Sequence, residues 1–588
     1  MNSWWFRMKP RSVVKTIEWF PHFADLEGRN WDETLVGVKS RYKDKSIYPA
    51  RREYIYNAHG EELDFVNNFH DYLSGMYDPN ETESAGRNDK TSFEFFGFGY
   101  VEPNGTIRST RIGDLIHNNK MSDELLLRQL LKIRFPSPAV GKKPDGEYVF
   151  PMEVVLKAFQ EFDTLNNFEL GFLFGCSSID KIDITLNAIR TFKKEYIKLE
   201  SRLDLAKVKE LFEKIFKKTY PKVTNKPETY YKDYSDALSR ALMYSGLFAS
   251  RGRGLYTKIY IPEHSKLKVE LLQNEYNFEY YDNENFVEYM NWFGDPYNIT
   301  LPWENIGNRK YLITKKAEIL QKNIEEAKTK IENFIAPEIN IVELTKEKDK
   351  GELIELDITL SNQITSLNEE LFIKYTSKTE EARAEIIEKF NDILQGNEDM
   401  GALWLEVNTW KSIVAMNGDH KLKRNFKIEE DLTPKSFAPG IGNTPDMELY
   451  KNEYIILPEV SLMTGVRQWE HEGSSVIDHV FKFIEQYKTK EVYGLFISSK
   501  MNVRTIWQFF ILNRESWIGK AVPVIPLTIE QYVNVLEFIY TNNLFIDDFK
   551  LLIELIHKNT FDCKSFGEWQ DGIDNIIKGW KRLFLAVS

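Results

Sequence analysis

Three short stretches decide how this chain is read: Pro445-Asp446-Met447-Glu448-Leu449, Pro458-Glu459-Val460-Ser461 and Glu470-His471-Glu472. Asp446 and Glu459 are 13 residues apart, and so are Glu459 and Glu472. Between the first two runs Leu449-Tyr-Lys-Asn-Glu-Tyr-Ile-Ile-Leu457, apolar at both ends and polar in the middle. That pattern predicts two short strands joined at Lys451-Asn452, with Asp446 opening the first and Glu459 late in the second. Carboxylates on neighbouring strands can converge on one hard divalent cation, which takes oxygen ligands. Held there, such an ion activates water and neutralises charge on a phosphodiester.

With 89 Asp and Glu in 588 residues, acids beside strands are common by chance. Several features raise the weight of these. Glu459 interrupts the apolar run Ile455-Ile456-Leu457-Pro458 and Val460, where an unpaired charge is costly. Asp446 and Glu448 alternate with Met447 and Leu449, which puts both acids on one strand face. Val476–Ile484 has the texture of a helix, and Val492–Ile497 is an apolar strand. Upstream, Ala402–Trp410 is a further candidate helix, with Glu406 inside an apolar stretch. Helix, strands with acids, helix, strand: this order resembles the PD-(D/E)xK nuclease core.

The likeness extends beyond the core. Asn443-Thr-Pro-Asp446-Met-Glu-Leu, Ile456-Leu-Pro-Glu459-Val-Ser461 and Gln468-Trp469 resemble the cleavage domain of the AlwI/PleI group. These are type IIS restriction endonucleases, with strand-nicking relatives among them. Tyr244-Ser-Gly-Leu-Phe-Ala249-Ser-Arg251-Gly and Leu131-Lys-Ile-Arg-Phe-Pro136-Ser extend the resemblance into the amino-terminal half. It implies that Asp446 and Glu459 are metal ligands and that Glu406, Glu472 and His479 line the same site. The expected ion is Mg²⁺, with Mn²⁺ as its substitute. The general motif has lysine two residues after the second acid, where it stabilises developing charge. This chain has Ser461, as small residues stand there within the group, so that positive charge must come from elsewhere or from a second metal. Glu472 is the candidate ligand for that metal and His479 the candidate proton shuttle. The ordinary alternative for His479 is a packed or capping histidine, and His471 is the weaker candidate of the two.

Composition sets the frame. The length suits roughly three or four domains. Two cysteines, Cys176 and Cys563, exclude a disulfide scaffold and a cysteine-based zinc site. No run approaches the ~18 apolar residues of a membrane span, and the opening Met-Asn-Ser-Trp-Trp-Phe-Arg lacks a signal peptide's apolar stretch. A cytoplasmic protein without membrane attachment is expected. The net charge of -12 is unevenly distributed: residues 181–258 carry 18 Lys and Arg against 9 acids, and residues 315–400 carry 12 against 20. The basic segment is the expected footprint of phosphate contact, although such runs are more often plain solvated faces.

Within it, Asp236–Gly246 reads as a helix stopped by glycine, followed by Leu247-Phe-Ala249, the basic turn Arg251-Gly-Arg253-Gly254, and Leu255–Ile261. Helix, strand, basic turn, strand is a winged-helix-like pattern, with Arg251 and Arg253 at the tip and Arg240 on the helix. A similar signal lies earlier. A hairpin from Gly99 to Arg108 leads to Arg111 and the helical stretch Ile112–His117, then to the amphipathic helix Asp123–Ile133, which carries Lys132 and precedes Arg134. Arg108, Arg111, Lys132, Arg134, Arg240, Arg251 and Arg253 are the candidate contacts to double-stranded DNA. The competing explanation for each module is a structural helix-hairpin pack. Between the halves, helical periodicity over Lys315–Ile331, a break at Pro337, and helices near Glu352–Leu371 and Thr379–Leu394 suggest a stiff connector or a packing subdomain.

The expected architecture is therefore multidomain, α+β or α/β: an amino-terminal recognition domain (1–180), a winged-helix-like recognition domain (181–300), a helical linker (301–400), and a PD-(D/E)xK-like cleavage domain (401–588) with a mixed sheet flanked by helices. No Walker loop, dinucleotide fingerprint, His-Glu-x-x-His or CxxC pair competes. The expected activity is cleavage of DNA at a fixed distance from an asymmetric site, as a nickase or a double-strand cutter. A second cut would require a homodimer, a small catalytic subunit or a second visit. A separate cognate methyltransferase is implied by the resemblance. The alternatives are a metal-dependent nuclease of another DNA-transaction system and a non-catalytic, sequence-specific DNA-binding protein.

Overall fold

A computed structural model describes residues 3–34, 48–59, 82–140, 148–199, 204–251, 254–332, 334–335, 346, 348–396, 398, 400–435, 444–465, 468–514 and 519–585. Arg253, Pro337 and Asn443 lie outside these residues, as does the side chain of His471. The protein is a mixed helix and sheet structure that divides into two compact units, Met1–Arg309 and Lys310–Ser588.

The first unit is mostly helical. It contains α1 (Val13–Ala24), α2 (Pro49–His59), α3 (Thr82–Phe96), β1 (Gly99–Val101), β2 (Ile107–Ser109), α4 (Arg111–His117) and α5 (Asp123–Lys132). Then come α6 (Pro151–Glu161), β3 (Thr164–Asn166), α7 (Asn167–Leu173), α8 (Ile182–Ile197), α9 (Leu205–Thr219) and α10 (Ser235–Met243). It closes with β4 (Ala249–Arg251), β5 (Lys258–Tyr260), α11 (Lys266–Glu275) and α12 (Phe286–Phe293). β1 and β2 form the antiparallel hairpin that the turn residues Pro103-Asn104-Gly105 predict. The α5 start is set by Ser122, whose hydroxyl accepts from Leu125 N–H. α7 begins at a capping box of Asn166 and Glu169. β5 lies between β3 and β4, antiparallel to both, so the strand order is β3-β5-β4.

The second unit holds most of α13 (Ile306–Lys330), then α14 (Lys350–Lys374), α15 (Glu380–Leu394), α16 (Gly401–Val414), β6 (Lys421–Arg424), β7 (Met447–Tyr450) and β8 (Tyr454–Ser461). After a π-helical turn over Gln468–Gly473 come α17 (Ser474–Gln486), β9 (Glu491–Ser498), α18 (Val503–Arg514), β10 (Val524–Thr528), α19 (Ile529–Thr541), α20 (Ile546–Asp562) and α21 (Phe566–Leu585). The five-stranded sheet has the order β10-β9-β8-β7-β6. It is mixed: β6, β7 and β8 pair antiparallel, while β8–β9 and β9–β10 are parallel. The parallel pairs require crossovers, and α17 and α18 supply them.

Every residue of β8 is buried. Ile455, Ile456 and Leu457 are each at most 1% exposed, and burying such side chains contributes roughly 1.5–3 kcal/mol apiece. That burial fixes the register of β8 and with it the placement of Glu459. The helices α13 and α14 share a small core of their own, including Ile313, Leu320 and Ile324 with Leu353, Leu360 and Ile364. α15 instead sends Ile386, Phe390 and Ile393 into the main core around the sheet.

Candidate active site

The β7–β8 turn gives the site its first two acids. The register Leu449↔Ile456, carried back along β7, sets Asp446 opposite Glu459. Asp446 lies one residue before the strand. Its N–H is directed to Glu459 Oε2 at 3.3 Å rather than to a ladder carbonyl. In return Asp446 Oδ2 accepts the N–H of Val460 at 2.9 Å. The two carboxylates are thus tied across the strands through each other's backbone.

Two more acids arrive from helical segments. Glu406 sits on α16, and its carboxyl is pushed up to about 8, by burial first and then by the charges of Asp446 and Glu472. Glu459, 6% exposed, is also pushed up to about 8, by burial and by Glu472 and Glu406. Asp446 is raised well above the usual carboxylate range, by burial and then by the neighbouring Glu459 and Glu472. Glu472, on the π-helical turn, accepts a hydrogen bond from the Ser461 hydroxyl at 3.1 Å. Four carboxyl groups from α16, the start of β7, β8 and the turn before α17 therefore feel one another. A cation placed among them would relieve both the burial and the repulsion.

The structure brings His479 into the same group. Its Nδ1 is 2.6 Å from Glu459 Oε1, and the imidazole is 5% exposed. Burial, with help from Lys482, pushes the imidazole below its ordinary value. Among the described residues no three His, Cys, Asp or Glu side chains are closed around one point as ready metal ligands. Asp446 Oδ2, Glu459 Oε2 and Glu472 Oε1 each accept a hydrogen bond from the protein instead. The donor set, carboxylate oxygen throughout the cluster, suits a hard divalent cation.

Glu448 has a different role from Asp446, although strand alternation gives them the same face. It is 4% exposed and sits in an ion pair with Lys423 at 2.7 Å. Asn425 Nδ2 donates to it at 2.8 Å, and the Tyr450 hydroxyl donates as well. Burial alone would raise its pKa, but these donors hold the carboxyl below the usual range. Asn425 is the residue that sequence reasoning missed. It is 5% exposed, donates its N–H to Asp446 O at 2.9 Å, and donates Nδ2 also to Pro445 O at 2.8 Å. It fixes the backbone from which Asp446 projects. Its only advance signal was a polar residue just after the alternating run Lys421–Arg424.

The candidate DNA contacts divide into two groups. Lys132 and Arg134 are each 2% exposed. Lys132 donates to the carbonyls of Phe293 and Asp295, and burial drives its pKa well below the usual value. Arg134 donates to the carbonyls of Pro136 and Tyr281 and lies 4.0 Å from the centre of the Tyr280 ring. Both are committed to holding the first unit together. The amphipathic pattern implies a solvent face for α5, but Leu125 through Lys132 are all buried, and Arg134 just beyond the helix is buried too. Arg108 and Arg111 are at the surface, paired with Glu102 and Asp295. Arg240 is half-buried against Asp236. Arg251 is exposed at the end of β4, 5.3 Å from the centre of the Tyr260 ring.

Comparison with known proteins adds the following. The family model described as AlwI restriction endonuclease matches residues 96–535, about three quarters of the chain. Among solved structures, the small subunit (R.BspD6I2) of the heterodimeric restriction endonuclease R.BspD6I is 19% identical. That match covers 34% of this chain and 98% of the subunit, with a TM-score of 0.28. No curated protein matches. Among the described residues no helix is long and apolar enough to cross a membrane.

Proposed function

Because this chain belongs to the AlwI restriction endonuclease family, we propose that it is a type IIS enzyme whose first unit reads an asymmetric duplex site and whose second unit hydrolyses DNA outside it. The observation that carries this reading is the convergence of Glu406, Asp446, Glu459 and Glu472 at one end of the β7–β8 pair. The carboxyls of Glu406, Asp446 and Glu459 are raised by burial and by the neighbouring acids, Glu472 among them, a perturbation that clusters at functional centres. The mixed sheet, with Asp446 and Glu459 on adjacent strands and helices on either side in sequence, supports a PD-(D/E)xK-like core.

Asp446, Glu459 and Glu472 are the side chains that would hold Mg²⁺, or Mn²⁺ in its place. When bound, the ion lowers the pKa of water and neutralises charge on the scissile phosphate. The chain's own residues do the rest. Val460 N–H holds Asp446 Oδ2 and so fixes the orientation of that carboxylate. His479 is the group that takes or returns a proton at Glu459 Oε1. Glu406 adds negative charge that draws the cation in. Ser461 brings no positive charge, and its hydroxyl serves to aim Glu472.

In the first unit, helix α10, the β4–β5 hairpin and the third strand β3 beside β5 support a winged-helix-like reader. Arg251 and Arg240 are its candidate phosphate contacts, with Arg108 and Arg111 in the earlier module. One centre of this kind cuts one strand. Cutting both strands takes a second copy, a small subunit or a second visit, and host DNA would be protected by a separate methyltransferase.

The test is supercoiled plasmid incubated with purified protein in Mg²⁺, with EDTA and Asp446→Ala as controls, and run-off sequencing of both strands. Open circles cut at one fixed offset identify a nickase, and linear product a double-strand cutter. Cuts at random positions would remove the type IIS reading. Equal cutting by Asp446→Ala would remove the site.

A further inference from the structure

Gln468 is fully buried at 0% exposure, four residues before Glu472 in the chain, yet it is neither charged nor part of the chemistry described above. Its amide nitrogen, which has two hydrogens to give, lies within hydrogen-bond reach of Met463 O at 2.9 Å, Ser498 Oγ at 2.9 Å and Lys500 O at 2.8 Å. Its amide oxygen accepts the N–H of Asn502 at 2.6 Å. A buried glutamine with both ends of its amide engaged is a strong fixture, because each partner left unmatched costs about 1–3 kcal/mol. Here it lashes together the loop after β8, the end of β9 and the start of α18.

These contacts lead to Glu472 by two routes. Along the chain, Gln468 is the first residue of the π-helical turn Gln468–Gly473, on which Glu472 lies. Such turns inside helical segments are often found at functional sites. Through space, Gln468 holds the carbonyl of Met463, and the N–H of Met463 donates to Ser461 Oγ at 3.1 Å. The Ser461 hydroxyl then donates to Glu472 Oε1 at 3.1 Å. Ser461 and Ser498 are register partners on adjacent parallel strands, so one amide spans the two strand ends that frame the site.

We propose that Gln468 is a positioning residue that sets the Glu472 carboxylate in the centre, with Ser461 relaying its hold. The proposal rests on the metal-dependent reading of the site given above. It also gives Ser461 a role: it stands where a lysine would stabilise charge, and here it orients an acid.

The experiment is Mn²⁺ titration, followed calorimetrically, of the full-length wild type, Gln468→Ala, Ser461→Ala and Glu472→Gln, and of each of the first two combined with Glu472→Gln. Gln468→Ala and Ser461→Ala are each expected to weaken Mn²⁺ binding by about 10–100-fold, the usual effect of removing an outer-shell partner. Neither is expected to weaken it further once Glu472 is Gln, since both act through that carboxylate. Thermal melting checks that each variant is folded. Ser461→Ala removes a single hydroxyl and carries the test if Gln468→Ala does not fold. Wild-type affinity in both single variants, or in Ser461→Ala when Gln468→Ala is unfolded, overturns the proposal alone. So does full additivity with Glu472→Gln. If the wild type binds no Mn²⁺, or Glu472→Gln binds like the wild type, the metal reading of Glu472 fails and takes this role with it.

Discussion

Glu406→Gln should make the metal-free protein more stable while making it a worse enzyme. The Glu406 carboxyl is pushed from an ordinary 4.5 up to about 8 in the folded state, by burial and then by Asp446 and Glu472. Between those two values the folded state holds a proton that the unfolded chain has released. Stability therefore falls as pH rises from 4.5 through 8. At 1.36 kcal/mol per pKa unit the full penalty near pH 7.5 would be about 4 kcal/mol. Glu406 is only partly buried and shares its repulsion with three other acids, so solvent screening reduces this to ~1–2 kcal/mol. Gln keeps the shape and removes the charge. For a unit of this size that corresponds to a rise of about 2–6 °C in melting temperature. The assay is calorimetry in EDTA at pH 7.5 and again at pH 4.5, where the gain should vanish because the wild-type carboxyl is protonated in the fold. Added Mg²⁺ should stabilise the wild type more than the variant, and single-turnover cleavage by the variant should fall by roughly 10–100-fold. An unchanged or lower melting temperature at pH 7.5, or a gain that persists at pH 4.5, would refute the account of crowded charge.

Other outcomes follow from individual contacts. Asn425→Ala releases Pro445 O and Glu448 and should slow single-turnover cleavage by about 10–100-fold with DNA affinity unchanged; a matching loss of DNA affinity would argue against a role confined to Asp446. Glu448→Ala should cost about 1–3 kcal/mol by leaving the buried Asn425 amide without its acceptor. Because its donors hold the folded Glu448 carboxyl below 4.5, its contribution is present above that value and lost as pH falls, the reverse of Glu406 in a pH series of melts. Arg251→Ala should lower the slope of log affinity against log salt by about 1, whereas Lys132→Met should leave the slope alone and depress the melting temperature. Equal slopes for the Arg251 variant and the wild type would take that residue off the DNA interface.

The sequence by itself determined a good deal, because local pattern encodes period and burial. Alternation around Asp446 and the apolar run through Glu459 marked two strands with their acids, and β7 and β8 are there. The helical periods marked α14 to α17 to within a few residues at each end, and the end of α13, which however begins at Ile306 rather than at the expected Lys315. The quoted motifs also pointed to the family. What pattern does not encode is which buried polar groups meet, since that depends on contacts between residues distant along the chain. Alternation placed Glu448 beside Asp446, yet Lys423 and Asn425, arriving from β6, neutralise and hold it. Amphipathic spacing implied a solvent face on α5, yet Leu125 through Lys132 are all buried, with Lys132 enclosed by the carbonyls of Phe293 and Asp295, more than 150 residues away. Glu406 and Asp446 are 40 positions apart and become electrostatic neighbours only when α16 packs against the sheet. A carboxylate's partners are set by three-dimensional packing, and with them its charge state and its use.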